Sequence, residues 1–331
     1  MRYLRLKSTD PSFNLAVEEA LFASTDEKSE PLFMLWQNAP SIIIGCHQNA
    51  LQEINSHEVE ARNLPVVRRS TGGGAVYHDL GNLNFSFLEY RQGVRQTDFK
   101  RYLEPIVRGL ARCGVEAVIK GRNDLEVQGR KISGSAQRIS QGRVLHHGTL
   151  LVDADFEAMT RALTPDPEKY LSKGIASVRA RVANISSFWD KGTTLESLCD
   201  MIAAEVEGMP CTLPQAVREQ ALRLQAEKYG SWDWNIGKSP AFTSHTEKRF
   251  PFGRIQICLA VDGGVITACR LYGDFFAQRP VSEIEARITG CQSSHEALQK
   301  ALQDVRLADY FSGAEAGSAE AELRSFFLDA L

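Results

Sequence analysis

Most of the signatures that would assign a chemistry outright are missing from this chain of 331 residues. No apolar run approaches the roughly 20 residues of a membrane span, and the start, Met1-Arg2-Tyr3-Leu4-Arg5-Leu6-Lys7, has no apolar signal core. Both absences point to a protein without a membrane role. The seven cysteines are scattered, odd in number and never spaced Cys-x-x-Cys, which argues against a disulfide framework or a zinc cluster and for a reducing cytoplasm. There is no Gly-x-Ser-x-Gly elbow, no internal repeat and no low-complexity segment, and no cysteine lies between Cys113 and Cys199. A net charge of −3 gives no basis for generic nucleic-acid affinity. What remains is ordinary globular composition, 43% hydrophobic and 24% charged, at a length that suggests two domains.

The informative stretch is Arg68-Arg69-Ser70-Thr71-Gly72-Gly73-Gly74-Ala75-Val76-Tyr77-His78-Asp79. Three glycines in a row cost entropy to order, so a folded protein keeps them where the backbone must bend or approach something closely. The adjoining arginines offer permanently charged donors suited to phosphate or carboxylate. Two known glycine-loop patterns fail here. A dinucleotide fingerprint from Gly72 would need a small residue where Tyr77 stands, and the Gly237-Lys238-Ser239 run has Trp232 where a P-loop needs its first glycine. An anion-binding loop for a nucleotide or an acyl phosphate is the reading that remains, with a plain strand connection as its rival. From Arg68 to Arg143 basic residues outnumber acidic ones 14 to 7, and the chain turns acidic from Glu283 onward. The basic middle suits an anionic small molecule or an acidic partner.

Hydrophobic periodicity places these residues on elements. Tyr3 to Leu6 reads as a strand, followed by a helix capped by Asp10 or Ser12 with Phe13, Ala16, Val17, Ala20 and Leu21 on one face. Leu32 to Trp36 and Ser41 to Ile44 read as paired strands, and Pro65 to Arg69 as a strand entering the glycine loop. Leu83, Phe85 and Phe87 alternate with Asn84 and Ser86, the period of a half-buried strand. Phe99 to Cys113 is helical, with Pro105 expected near its start. Val115 to Ile119, Leu125 to Val127, Lys131 to Ser133 and Val144 to Val152 read as strands, with a turn at Gln128-Gly129; Asp155 to Leu163 reads as a helix. Thr164 to Asn184 is too long and polar for an ordinary connection, hence a candidate functional loop. A large α+β domain is expected over residues 1–243, a linker over 244–251, and a small α+β domain over 252–331. In the latter, a hairpin turns at Asp262-Gly263-Gly264 and three helices follow.

Three further clusters bear on chemistry. Gly121-Arg122-Asn123-Asp124 is a turn whose aspartate either bonds its own backbone, holds an arginine, or ligates magnesium. In Lys131-Ile132-Ser133-Gly134-Ser135-Ala136 the lysine and isoleucine face opposite ways and small residues follow; the lysine is a hairpin charge or a counter-ion for phosphate. His146 and His147 point to opposite faces of their strand, so they do not share a metal.

With these pieces assembled, the chain resembles the lipoate–protein ligase A family. The resemblance rests on the glycine-triplet stretch, Gly121 to Asp124, Lys131 to Ala136, His147-Gly148-Thr149-Leu150-Leu151, Phe13-Asn14-Leu15-Ala16-Val17-Glu18-Glu19, Lys173-Gly174-Ile175-Ala176-Ser177-Val178-Arg179 and Trp232-Asp233-Trp234-Asn235. It spans nearly the whole chain. It implies a fold shared with biotin ligases and class II aminoacyl-tRNA synthetases, and a two-step reaction. Lipoate and ATP give lipoyl-AMP and pyrophosphate; the lipoyl group then passes to a lysine of a carrier. The carriers implied are apo lipoyl domains of 2-oxoacid dehydrogenase E2 subunits and the glycine cleavage H protein. On that likeness Arg69, Gly74, Ala75, Val76, Tyr77 and Lys131 bind ATP, with Lys131 catalytic. Ser70, His78, His147 and Lys131 meet lipoate, Lys173, Gly174, Ser177 and Arg179 belong to a lid over the adenylate, and Asp124 takes Mg²⁺. No permanently bound cofactor, nucleic acid or membrane partner is implied, and a cytoplasmic monomer is the simplest expectation. The family usually carries arginine where this chain has Cys46. The alternatives are an ATP-independent octanoyl or lipoyl transferase of the same fold, whose nucleophilic cysteine would fall in the cysteine-free span, and a non-catalytic lipoate- or carrier-binding module.

Overall fold

An aspartate starts the first helix. Asp10 Oδ1 accepts from the backbone N–H of Ser12 and Phe13 at 2.9 and 3.2 Å, two of the donors that the start of α1 (Pro11–Ser24) would leave orphaned. Pro11 stands in the first turn, where a missing N–H costs nothing. α1 is buried over most of its surface, and two polar residues, Asn14 and Glu18, are buried with it. The coordinates are a computed structural model describing residues 1–94, 97–163, 181–237, 242, 244–314 and 319–330.

The described chain divides into two units. The first comprises residues 1–44, 50–70 and 75–236; the second comprises 45–49, 71–74 and 237–331. The first is built on an eight-stranded mixed sheet. Its strands are β1 (Arg2–Arg5), β2 (Leu32–Trp36), β6 (Asn82–Tyr90), β7 (Val118–Lys120), β8 (Asp124–Val127), β9 (Arg130–Ser140), β10 (Arg143–Leu151) and β11 (Met209–Pro210), ordered β11-β1-β2-β6-β10-β9-β8-β7. β1 runs parallel to β2 and β11; the other neighbours are antiparallel. The β8–β9 hairpin turns at Gln128-Gly129 with φ of 50° and 74°, both left-handed as a tight two-residue hairpin turn requires. A smaller sheet, β4-β3-β5, holds β3 (Ser41–Ile44), β4 (Val66–Arg68) and β5 (Val76–His78). β2 and β3 therefore do not pair as their closeness in sequence suggested: the Asn38-Ala39-Pro40 connection carries the chain from one sheet to the other.

Register fixes which side chains share a face, because strand side chains alternate. Trp36, Asn84 and Thr149 align across β2, β6 and β10, as do Met34, Ser86 and His147; these point toward α1, where Glu18 meets both Ser86 and His147. Phe33, Phe87 and His146 align on the opposite face, which α2 (Phe99–Ala111) covers. β6 is buried on both faces rather than one, from Asn82 to Glu89. α2 continues through Pro105 in its interior, against the expectation that proline would mark its start, and gives up one backbone hydrogen bond there.

In the second unit β13 (Gly253–Asp262) is central, flanked antiparallel by β12 (Ser244–Phe250) and β14 (Val265–Gly273). Residues 244–250 thus form an edge strand, not a linker. Its exposed, alternating polar residues are one solvent-facing side of a hydrogen-bonded strand. Gly263 and Gly264 turn the β13–β14 hairpin with φ of 54° and 79°. The core gathers Phe252, Phe275, Phe311 and Phe327 with the helices Ser282–Ile288, His295–Leu302 and Ala319–Leu328.

Candidate functional site

The α1 face of the large sheet is polar and yet sealed from solvent. Trp36 Nε1 donates to Ser86 Oγ at 2.9 Å, and the Ser86 hydroxyl donates to Glu18 Oε1 at 2.6 Å. His147 Nδ1 lies 2.9 Å from both oxygens of the same carboxylate. Glu18 is 1% exposed, and so polar a group is tolerated there because these partners bond it. Asn82 donates to Asn84 in the same buried row.

Lys131 stands on the same face beyond the sealed row, its side chain 40% exposed. Its Nζ pairs with Asp124 Oδ1 at 2.8 Å, and a Cβ built on Gly134 would come 3.0 Å from that ammonium. Gly134 in turn contacts Thr149 Oγ1, two residues beyond His147 on β10 and on the same face. The small residues after Lys131 therefore leave room for its side chain, while Ile132 is fully buried. A bulge in the β8–β9 pairing lies beside it, between Leu125 and Glu126. Asp124, expected as a metal ligand or a partner for arginine, holds the lysine. Among the described residues no three His, Cys, Asp or Glu side chains gather into a metal-binding group.

The two arginines part company. Arg68 is structural: its guanidinium donates to the carbonyls of Trp234 and Asn235, its backbone N–H to Asn235 Oδ1, and Trp234 Nε1 donates back to the Arg68 carbonyl. Trp234 is itself seated under Lys228, whose ammonium stands 4.0 Å from the ring centroid and bonds Glu19 at 2.7 and 2.9 Å. Burial pushes the Glu19 carboxyl up, but hydrogen bonds from Lys228 and Tyr229 outweigh it and bring its pKa below the ordinary value. Arg69, buried and bonded to the Ile43 carbonyl at 3.3 Å, lies close enough to His78 to act on its charge, as does His147.

Each glycine of the triplet has its own reason. A Cβ on Gly72 would sit 2.2 Å from the Phe275 carbonyl oxygen, within the second unit, so no side chain fits. Gly73 needs its φ of 91°. Gly74 is exposed and would meet nothing within 4 Å, which leaves open backbone of the kind a ligand can approach. Ser70, Ala75 and Val76 are half-buried. The Tyr77 ring is buried among Ile42, Ile44 and Leu64, so any contact it makes with a nucleotide comes from its backbone. His78, on the opposite face of β5, is buried with Nδ1 3.0 Å from Asn38 Nδ2. Desolvation first, and then the charges of Arg69 and His147, hold its pKa down to about 3, so it is neutral. Lys173, Gly174, Ser177 and Arg179 lie outside the described residues.

Sequence reasoning placed Trp36 and Ser86 on strands and quoted Glu18 without giving any of them a role in the site, and it gave none to Asn38. The one available signal was the Glu18-Glu19 pair inside an otherwise apolar helix face.

A large mixed sheet carrying Lys131 and His147, a smaller sheet carrying His78 with Arg69 at its end, and a small α+β unit after them give a two-part architecture whose class, the protein ligases, is identified by similarity to known proteins. Residues 10–207 match the family model described as lipoyl protein ligase A/B catalytic domain, and residues 239–322 match bacterial lipoate protein ligase C-terminus. The chain belongs to the lipoate–protein ligase family. It is 43% identical over 309 residues to lipoate-protein ligase LplJ of Bacillus subtilis, covering 91% of this chain and 93% of that one. Its fold matches Plasmodium falciparum LipL1 in complex with lipoate at a TM-score of 0.82 and 27% identity, over 99% of both chains. It also matches lipoate-protein ligase A bound with ATP at 0.62 and 25%, over 71% of this chain and 98% of that one.

Proposed function

We propose that this chain activates lipoate with ATP and transfers the lipoyl group to a protein lysine. Support comes from its family, from the lipoate- and ATP-bound relatives, and above all from one observation: Lys131, its side chain 40% exposed, stands on the same sheet face as Thr149 and the buried His147. The lipoate carboxylate attacks the α-phosphorus of ATP and pyrophosphate leaves. Negative charge grows on the phosphoryl oxygens during that step, and fixed cations in a dry site stabilise it. Lys131 and Arg69 are the cations assigned to this task, with the backbone of Gly74, Ala75, Val76 and Tyr77 along the nucleotide. Asp124 keeps the Lys131 ammonium oriented before substrate arrives. Ser70, His78 and His147 are assigned to lipoate.

Magnesium fits as ATP's counter-ion, since it takes most of its ligands from phosphate and water and needs one or two carboxylates. Asp124, whose Oδ1 otherwise bonds Lys131, is the carboxylate that would hold it. Transfer then needs positioning more than activation, because the mixed anhydride is already reactive. Lipoyl domains of 2-oxoacid dehydrogenase E2 subunits and the glycine cleavage H protein are the proposed acceptors, with a monomer working in the cytoplasm. No helix among the described residues is long and apolar enough to cross a membrane.

The test is lipoate-dependent pyrophosphate release from ATP, without and then with an apo lipoyl domain whose mass is measured. Pyrophosphate plus a lipoyl mass increase is expected. Acyl transfer only from a preacylated donor, without ATP, would replace this reading with a transferase; silence in both arms would leave a binding protein.

A further inference from the structure

The hydrogen-bond polarity around His78 can be read from two backbone carbonyls. Asn14 Nδ2 lies 2.9 Å from the Ser8 carbonyl, 2.9 Å from the Gln37 carbonyl and 2.9 Å from Asn38 Oδ1. Carbonyl oxygens only accept, so the Asn14 atom facing them is nitrogen; the flipped amide would press oxygen on oxygen. The Asn38 atom meeting that nitrogen is then its oxygen, which turns Asn38 Nδ2 toward His78 Nδ1 at 3.0 Å. An amide nitrogen only donates. Nδ1 is therefore an acceptor, and the ring proton of a neutral His78 sits on Nε2. That Nε2 is buried and has no partner among the described residues, in a side chain 3% exposed. Its surroundings are the Trp36 ring edge-on at 6.3 Å, with Arg69 and His147 as the charged or titratable groups that act on it. A buried N–H without an acceptor is destabilising, and a ligand oxygen would relieve it.

We infer that His78 is a fixed Nε2–H donor to an acceptor oxygen of the acyl substrate, its tautomer set by Asn14 and Asn38 as positioning residues. The ring has no open nitrogen left to act as a base: Nε2 holds the proton and the Nδ1 lone pair receives Asn38. The proton released when a carrier amine attacks the adenylate therefore goes elsewhere. The identity of the acceptor rests on the proposed lipoate activation; the tautomer does not.

The full chain labelled with ¹⁵N-histidine tests this by two-bond ¹H–¹⁵N correlation, with the His78 signals assigned by their loss in His78→Gln. Acceptor-type Nδ1 and protonated Nε2, unchanged between about pH 5.5 and about pH 8.5, are expected. A protonated Nδ1, or titration in that window, would overturn the assignment. In Asn38→Asp the carboxylate only accepts, so the proton moves onto Nδ1; an unaltered His78 spectrum would overturn the role of Asn38. Saturating lipoate should shift the Nε2–H proton downfield, and an unmoved signal in protein that forms lipoyl-AMP would overturn the donor role. Protein with the expected tautomer that forms no lipoyl-AMP would instead strike the activity reading and leave the tautomer standing.

Discussion

His146 and His147 are consecutive in the chain and face opposite sides of one strand, and their surroundings could hardly differ more. His147 meets the buried carboxylate of Glu18, in a row that also holds Ser86, Trp36 and Thr149. His146 stacks on Tyr102 at 4.7 Å among Phe85, Phe87 and Phe99, and neither of its ring nitrogens has a hydrogen-bond partner among the described residues. One face is a packed aromatic wall; the other is a buried polar surface that folding alone does not need. Burying polar groups is unfavourable unless each is bonded, so a protein keeps such a face for something it binds. The proposed chemistry is assigned to the α1 face; the α2 face packs the sheet against α2.

Substitutions on the two faces should therefore fail in different ways. The largest effect is expected from Lys131→Ala: loss of a charge that meets the transition state slows lipoyl-AMP formation about 10²–10³-fold, while the urea midpoint stays near wild type. Retained ATP–pyrophosphate exchange in this folded variant would contradict the role. Gly148→Ala should do the reverse. Its Cβ would lie 2.4 Å from the Phe85 ring, so about 1–3 kcal/mol of stability is lost before any effect on ATP use. Gly74→Ala, with open space around it, should leave the midpoint unchanged and raise the KM for ATP; an unchanged KM would remove Gly74 from the site.

Glu18→Ala sharpens the contrast from the polar side. It strands the Ser86 hydroxyl and His147 Nδ1, costing about 1–3 kcal/mol, and the KM for lipoate rises. A normal KM with lower stability would make the row purely structural. The smallest effect is on pH. Burial holds the His146 pKa well below its ordinary 6.5, so the unfolded chain gains a proton there that the folded chain refuses. That stability is complete above about pH 6.5 and is lost as pH falls, by up to about 1.4 kcal/mol per unit. His146→Phe removes one such group, so its stability should decline less on acidification. His78 contributes with the same sign in both proteins. Parallel curves for wild type and variant would contradict the neutral His146.

Local chemistry was legible in the sequence where it acts alone. The helix cap, expected at Asp10 or Ser12 and found at Asp10, follows from a side chain that accepts from nearby backbone N–H groups; the Gln128-Gly129 turn and the Asp262-Gly263-Gly264 hairpin follow from local backbone preference. The roles proposed for Arg69 and Lys131 rest on likeness to a family as well as on the general fit of fixed cations to phosphate. What escaped depends on partners distant in the chain. Asn84 and Ser86 alternate with Phe85 in the same way whether their face meets water or α1. Arg68 and Arg69 read alike until Trp234 and Asn235, more than 160 residues away, take the first of them. Ser244–Phe250 looked like a linker because its polar side chains face solvent, although its backbone is paired along β13.

The most direct test of the two-faced sheet is a crystal structure of the protein with lipoyl-AMP. Density for the ligand is expected on the α1 side, against His147, His78 and Lys131, with His146 and its aromatic neighbours unmoved. Ligand found instead on the α2 side, in the cleft of about 400 Å³ bordered by Leu32, Glu89, Asp98, Arg101 and Arg108, would contradict the account.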